Sequence, residues 1–320
     1  MWWKILLFIW ISFFSAVGIL TPIAGNIQDL AIIHQMSSEK EIPVRFSARE
    51  KEGSTDGTGA WLVQGTDGHG AEATYVFRNG RPAESDASSM LVVQARYDSE
   101  NHQILVSRVL SADPLLTFPF IPGLEERAKI IFFHVPVSWL TVIAFLVSMW
   151  FGIKYLRTKN LEHDDTSATA AALGLLFCIL ATTTGSVWAK FNWGSFWNWD
   201  PRETSIFVLL LVYGAYFALR SAVEVDEKRA SLSAVYSILA FVTVPFFIFI
   251  MPRIMPGLHP GSADDVNSGP VVSSGGMDGT MRVVLYSMLA GYVTLFTWIM
   301  RIQKRVHRIS LKRYAVAPHA

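Results

Sequence analysis

Two histidines and a run of indoles are the residues of this chain best suited to chemistry. His134 lies in Ile131-Phe132-Phe133-His134-Val135-Pro136-Val137, near one end of a long apolar stretch. His259 lies in Met255-Pro256-Gly257-Leu258-His259-Pro260-Gly261, just beyond the end of another. Between them in sequence runs Trp193-Gly194-Ser195-Phe196-Trp197-Asn198-Trp199-Asp200, with Trp188 upstream. An ionisable side chain within a membrane-length segment marks a functional site by default, or else is satisfied by a neighbouring carbonyl. Pro136 removes a backbone donor close to His134, so a local helix distortion is expected there. The prolines and glycines around His259 suit a presented ligand, although an ordinary loop carries the same pattern. A loop this rich in Trp is either an anchor at the membrane–water boundary or a platform for a large planar ligand.

The set is coherent if all of it lies at one membrane face. Neutral imidazole nitrogens can fill the two axial positions of haem iron while indoles pack against the macrocycle, which here means haem b held non-covalently. Zinc fits less well, because it wants three or four close ligands and no further cluster accompanies the pair. Asp264 and Asp265 read as part of a polar loop, and His34, His69, His102, His163, His307 and His319 as solvated. The single cysteine, Cys178, lies in an apolar run without any Cys-x-x-Cys or Cys-x-x-Cys-His motif. That excludes dithiol redox chemistry and covalent c-type attachment, leaving Cys178 a small lipid- or helix-facing hydrophobe. Asp200-Pro201-Arg202-Glu203 is a helix start, with Asp at the N-cap, Pro at the first position and Glu able to reach back. Asp200 can also belong to the site. Arg202 and Lys190 flank the Trp cluster and can pair with propionates or snorkel toward lipid head groups.

These residues need elements to hold them. With 51% hydrophobic and 17% charged residues and a mean hydropathy of +0.34, the composition is that of a membrane protein diluted by a polar segment. A net charge of +1 gives no reason to expect nucleic acid. Six apolar stretches approach the roughly 17–25 residues that span a bilayer as helix. They run near Trp3–Leu20, Ile130–Ile153, Ser167–Trp188, Thr204–Ala222, Ala230–Met251 and Val283–Ile302. The first reads as an uncleaved anchor, since no clean Ala-x-Ala site follows and Thr21-Pro22 comes directly after it. Basic residues after the second, fourth and sixth stretches, together with Lys4, place both termini in the cytoplasm. Alternation then exports the stretch 24–127, the Trp loop and the stretch 252–281. The domains expected are helix 1 (1–23), an exported insert (24–127), a five-helix membrane domain (128–303) and a basic tail (304–320).

The insert reads as a small β domain. Five short β-branched or aromatic runs, at 44–48, 61–64, 73–77, 90–97 and 103–109, are separated by turn residues including Gly53, Gly65, Asp67-Gly68 and Asn79-Gly80. Five strands in about seventy residues suit a barrel of the OB type. The fold class expected is an all-α polytopic membrane protein of six helices with an OB-like insert between helices 1 and 2. From the strands alone, the insert is a docking or spacer domain.

The chain resembles the Trp-rich-loop family of cytochrome c biogenesis, the CcmC/CcmF/CcsA family, and within it the short CcmC type. Thr183-Thr184-Gly185-Ser186-Val187-Trp188 followed by the Trp193–Asp200 segment is similar to the family's signature loop. Phe133-His134-Val135-Pro136 is similar to its first axial-histidine motif, and Leu258-His259-Pro260-Gly261-Ser262 to its second. The resemblance spans about 129–302 plus the first helix. It implies haem bound at the outer face of a bacterial inner membrane between His134 and His259, against Trp188, Trp193, Trp197 and Trp199. It implies delivery to a CcmE-like haem chaperone, alongside a small membrane subunit and ABC-type components, rather than enzymatic turnover. Phe196 stands where many members carry Trp, and the insert is longer than the loop expected there. The insert's final strands are weakly similar to the chaperone's own barrel, but Ala112-Asp113-Pro114 occupies the place of its covalent histidine. Two other readings stay open: a subunit of a thioether-forming synthase, and a membrane-anchored module acting through the insert.

Overall fold

The computed structural model describes residues 2–48, 54–55, 57, 59–83, 90–259, 262–263 and 277–316, with only the backbone of 307, 308 and 310–316. It divides into two units: Met1–Ser15, Lys129–Gly276 and Arg282–Ala320 form one, Ala16–Ala128 and Met277–Met281 the other.

The larger unit is helical. Among the described residues, six helical segments are long and apolar enough to cross a membrane. They are α1 (Trp2–Leu20), α3 (Ile131–Thr158, preceded by a 3-10 turn Glu125–Ile130), α4 (Leu161–Trp193), α5 (Pro201–Ala222), α6 (Asp226–Pro245) continuing to α7 (Met251–Ile254), and α8 (Gly279–Val316). The protein is therefore a multi-pass membrane protein. α8 extends to Val316, into the basic segment 304–320.

α3 packs along both α4 and α6, and α5 lies against α4 and α6. Where they meet, Phe145 stacks face to face on Tyr213, and Leu209, Tyr216 and Val244 close around them. Cys178 is buried in this cluster, so it faces helices and not lipid. Near the start of α4, Asp164 accepts both guanidinium nitrogens of Arg220 from the last turn of α5, at 2.7 and 2.9 Å. A buried bidentate pair of this kind is costly to split, because the remaining charge has no water to turn to.

The expected distortion at Pro136 is absent: α3 runs through it as continuous α-helix. Pro136 is only the sixth residue of the helix, so its missing N–H spoils a single bond close to the helix start. The irregularity lies instead in the fifth span, where a π-helical turn, Phe246–Ile250, follows Pro245 and leads into α7 and the His259 segment.

The smaller unit holds a short helix and a β-barrel. Helix α2 (Ile27–Met36) was not anticipated, although Asn26 and Asp29 form the reciprocal cap that starts it. The strands are β2 (Ile42–Ala48), β4 (Trp61–Asp67), β5 (Glu72–Phe77), β6 (Met90–Asp98) and β7 (Gln103–Ala112), with two-residue strands β1 (Ile23–Ala24), β3 (Ser54–Thr55) and β8 (Phe118–Pro119). β2 pairs with β6, β6 with β7, β7 with β5, β5 with β4, and β4 again with β2, closing a five-stranded barrel. All these pairings are antiparallel except β5 with β7. Alternate residues of β2 and β4 are buried, as a pleated strand with one face inward requires. Gly65, expected in a turn, sits inside β4. A Cβ there would stand 2.6 Å from the ring of Phe46, which stacks on Tyr75 in the barrel core. The glycine serves a close approach, not a reversal.

Candidate functional site

α4 supplies the common ground of the site. Near its end, Thr184 and Gly185 meet the His134 imidazole from the first turn of α3. Nδ1 of His134 lies 3.0 Å from Thr184 Oγ1. A Cβ at Gly185 would stand 3.1 Å from His134 Cε1, so the ring rests against bare backbone. Trp188 follows on the same face of α4, about one helical turn or 5–6 Å onward. Its ring lies 5.6 Å from the His259 imidazole and 5.1 Å, edge to face, from Trp193, which is itself 6.2 Å from His259. The two histidines, 125 positions apart in sequence, thus meet α4 residues that lie one helical turn apart, His134 at Thr184 and His259 at Trp188.

The Trp loop divides into two parts. Trp188 and Trp193 belong with His259. Trp197 and Trp199 form an edge-to-face pair at 5.9 Å and pack instead against Phe207 of α5, at 6.3 and 6.4 Å. Trp199 is exposed and Phe196 carries the Lys190 cation over its ring at 5.6 Å. Lys190 Nζ donates to the Gly194 carbonyl at 2.7 Å, capping the end of α4 as a last-turn cation does. Of the two flanking cations, Arg202 is the one whose charge is felt at His134. Arg253 is a second cation, and its charge in turn acts on Arg202. Arg253 was not anticipated from sequence, where nothing but its position after the fifth span distinguishes it.

The expected helix start is present, and it does more than start a helix. Trp199 is held in the left-handed region at φ 55°, a conformation that costs a non-glycine residue roughly 1–2 kcal/mol. Glu203 offsets this: its Oε2 accepts from the Asn198 N–H at 2.6 Å and the Asp200 N–H at 3.3 Å. Asp200 is only 4% exposed and uses both oxygens. Oδ1 accepts from the Arg202 N–H at 2.9 Å, capping α5, while Oδ2 accepts from the Leu258 N–H at 2.7 Å. Asp200 therefore ties the His259 segment to the Trp loop. Gly257 lets the strands of chain come together, since a Cβ there would be 2.6 Å from Asp200 Oδ2 and 2.9 Å from Pro201 Cδ. Beyond His259, the Ser262 hydroxyl and N–H both donate to the His259 carbonyl, at 2.7 and 3.2 Å. Pro260, Gly261, Asp264 and Asp265 lie outside the described residues.

A helical membrane bundle presenting paired imidazoles beside an indole-rich loop defines the class of protein. Residues 121–317, which exclude the barrel, match the family described as "CcmC: Heme exporter protein C". The chain is 30% identical over 177 residues to "Heme exporter protein C" of Paracoccus denitrificans, covering 55% of this chain and 71% of that protein. With the protein of the same name from Bradyrhizobium diazoefficiens it shares 34% over 121 residues, 38% of this chain and 46% of the other. With "Cytochrome c biogenesis protein CcsA" of Panax ginseng it shares 27% over 173 residues, 53% of this chain and 48% of the other. The chain belongs to the CcmC family.

Proposed function

We propose that the protein holds haem b non-covalently at the Trp-loop end of its helical bundle and hands it on for cytochrome c maturation. The observation that carries this reading is that His134 meets Thr184 and His259 meets Trp188, residues one turn apart on α4, with Trp193 also against His259. Family membership supports it, since relatives carry the names heme exporter and cytochrome c biogenesis protein. In this reading the two imidazoles supply the axial nitrogens and the indoles the apolar wall. Arg202, with the Arg253 charge reinforcing it, would pair with the propionates. Asp200 contributes by holding the two loops together.

The basic segments after the second, fourth and sixth spans orient both termini to the cytoplasm, so the Trp loop and the 24–127 insert face outward from the bacterial inner membrane. Residues 128–303 then act as the haem-handling domain and 304–320 as its basic extension. The barrel is of the OB type and serves as a dock for a partner, a CcmE-like haem chaperone being the recipient. Handing haem on would need one histidine to let go of the iron, and His259, which lies beyond the end of α7 and not within a long helix, would be the one to yield.

The test is the absorption spectrum of the full chain purified from haem-replete cells. Alanine at His134 or at His259 is expected to abolish or alter the haem bands. Unchanged haem content and spectrum in both variants would overturn the assignment.

A further inference from the structure

We propose that Thr184 is the positioning residue that sets the tautomer of His134, and so decides which imidazole nitrogen is offered to a ligand. The argument follows one proton. Thr184 Oγ1 lies 2.8 Å from the Leu180 carbonyl oxygen and 3.1 Å from that of Ala181. A carbonyl oxygen only accepts, so the single hydroxyl proton must point at this pair; turned elsewhere, it would leave oxygen lone pairs facing each other at close range. The third neighbour of Oγ1 is His134 Nδ1, at 3.0 Å. With its proton spent on the helix, the hydroxyl can only accept there, and Nδ1 must carry the hydrogen; the Ala181 backbone is a second hydrogen-bond partner of the ring. In a neutral imidazole the other nitrogen then holds the free lone pair. Nε2 is therefore the nitrogen that His134 presents.

Two features keep the arrangement from relaxing. The hydroxyl is anchored on a helical residue, bonding back to its own preceding turn, so it cannot swing away without losing that bond. The imidazole is confined by the Gly185 backbone, which a Cβ would meet at 3.1 Å from Cε1. A metal-bound histidine generally has its second nitrogen held in this way, and loss of the holding partner typically weakens metal binding about 10–100-fold. The motif's threonine and glycine are in this account as specific as its tryptophans: Thr184 fixes the proton and Gly185 admits the ring.

The consequence for haem rests on the reading given under Proposed function, but the tautomer can be tested without haem. The full chain, haem-free in detergent and with 15N-labelled histidine, is compared by NMR as native, Thr184→Val, Thr184→Ser and His134→Ala, the last assigning the His134 signals. The native and serine forms are expected to show one His134 tautomer, protonated at Nδ1. The valine form, nearly isosteric but leaving only the Ala181 backbone as a hydrogen-bond partner of the ring, is expected to show the Nε2-protonated tautomer or a mixture. An Nε2-protonated ring in the native chain, or an unchanged ring in Thr184→Val, would overturn the proposal. Haem titration of the same variants then separates the two claims. A roughly tenfold or greater loss of affinity in the valine form, restored by serine, is expected. Failure of the native chain to bind haem would sink the haem reading and leave the tautomer result standing.

Discussion

Replacing Asp200 by Asn isolates the clamp between the two loops from the helix cap. Asn caps helices about as well as Asp, so the start of α5 should survive. The side chain serves the α5 cap, accepting from the Arg202 N–H at 2.9 Å and the Glu203 N–H, as well as the Leu258 N–H at 2.7 Å, and Asn offers one oxygen. If that oxygen keeps the cap, the amide NH2 faces the Leu258 N–H, donor against donor, in a place where Asp200 is 4% exposed. A buried donor without an acceptor costs about 1–3 kcal/mol, and charge-assisted bonds lie toward the upper part of that range. Spent on the docking of the His259 segment, this lowers the apparent haem affinity by about 5–150-fold. The assay is a spectroscopic haem titration of the purified full chain, native against Asp200→Asn, with and without millimolar imidazole. Free imidazole should restore much of the native spectrum, because it replaces a ligand that has moved away. Amide hydrogen exchange at Leu258 should rise in the same variant, in the absence of haem. Native affinity together with native protection of the Leu258 amide would refute the clamp.

Other outcomes can be checked independently. Asp164→Ala strands the Arg220 cation in the bundle, where its side chain is 13% exposed, and should cost about 3–5 kcal/mol, read as a lower melting temperature in detergent. Adding Arg220→Met should return most of that loss, and no recovery would argue against the pair. In the barrel unit, burial works against ionising Asp67, but the N–H groups of Ile27, Ala71 and His69 outweigh it and hold its carboxyl below the ordinary range. A depressed folded value means that this stabilisation is complete at neutral pH and is lost as pH falls through the acid range below about 4. Asp29 nearby is pushed up by burial and works in the opposite sense, so the diagnostic is the comparison with Asp67→Asn. Acid-induced loss of amide protection at Ile27, His69 and Ala71 should vanish in that variant, and persistence of the acid limb would refute the assignment to Asp67.

Much of this architecture was readable in the chain because it depends on local properties. Length and apolarity mark the six spans, and β-branched or aromatic runs between turn residues mark the five barrel strands, since these signals are written residue by residue. Boundaries and exceptions were less readable. β4 continues past Gly65 because Phe46, on a different strand, needs the space. The α2 helix is weakly marked although Asn26 and Asp29 spell its cap, since it is only ten residues long and follows closely on the apolar run of α1. Lys190 and Arg202 looked equivalent as flanking cations until the Gly194 carbonyl claimed Lys190.

The sequence by itself determined which residues could form the site: two histidines in motifs at the ends of apolar spans, a Trp-rich loop between, and a capped helix to follow. Only the tertiary structure decided how they are held. Thr184 meets His134 across 50 positions and Asp200 meets Leu258 across 58, contacts that no local pattern encodes. The physical reason is that a hydrogen bond acts over about 3 Å whatever the chain distance between its partners. Residue type settles what a group can donate or accept, while packing α3 and the His259 segment against α4 settles with whom. The four tryptophans likewise looked like one surface in sequence. Packing assigned two of them to His259 and two to Phe207.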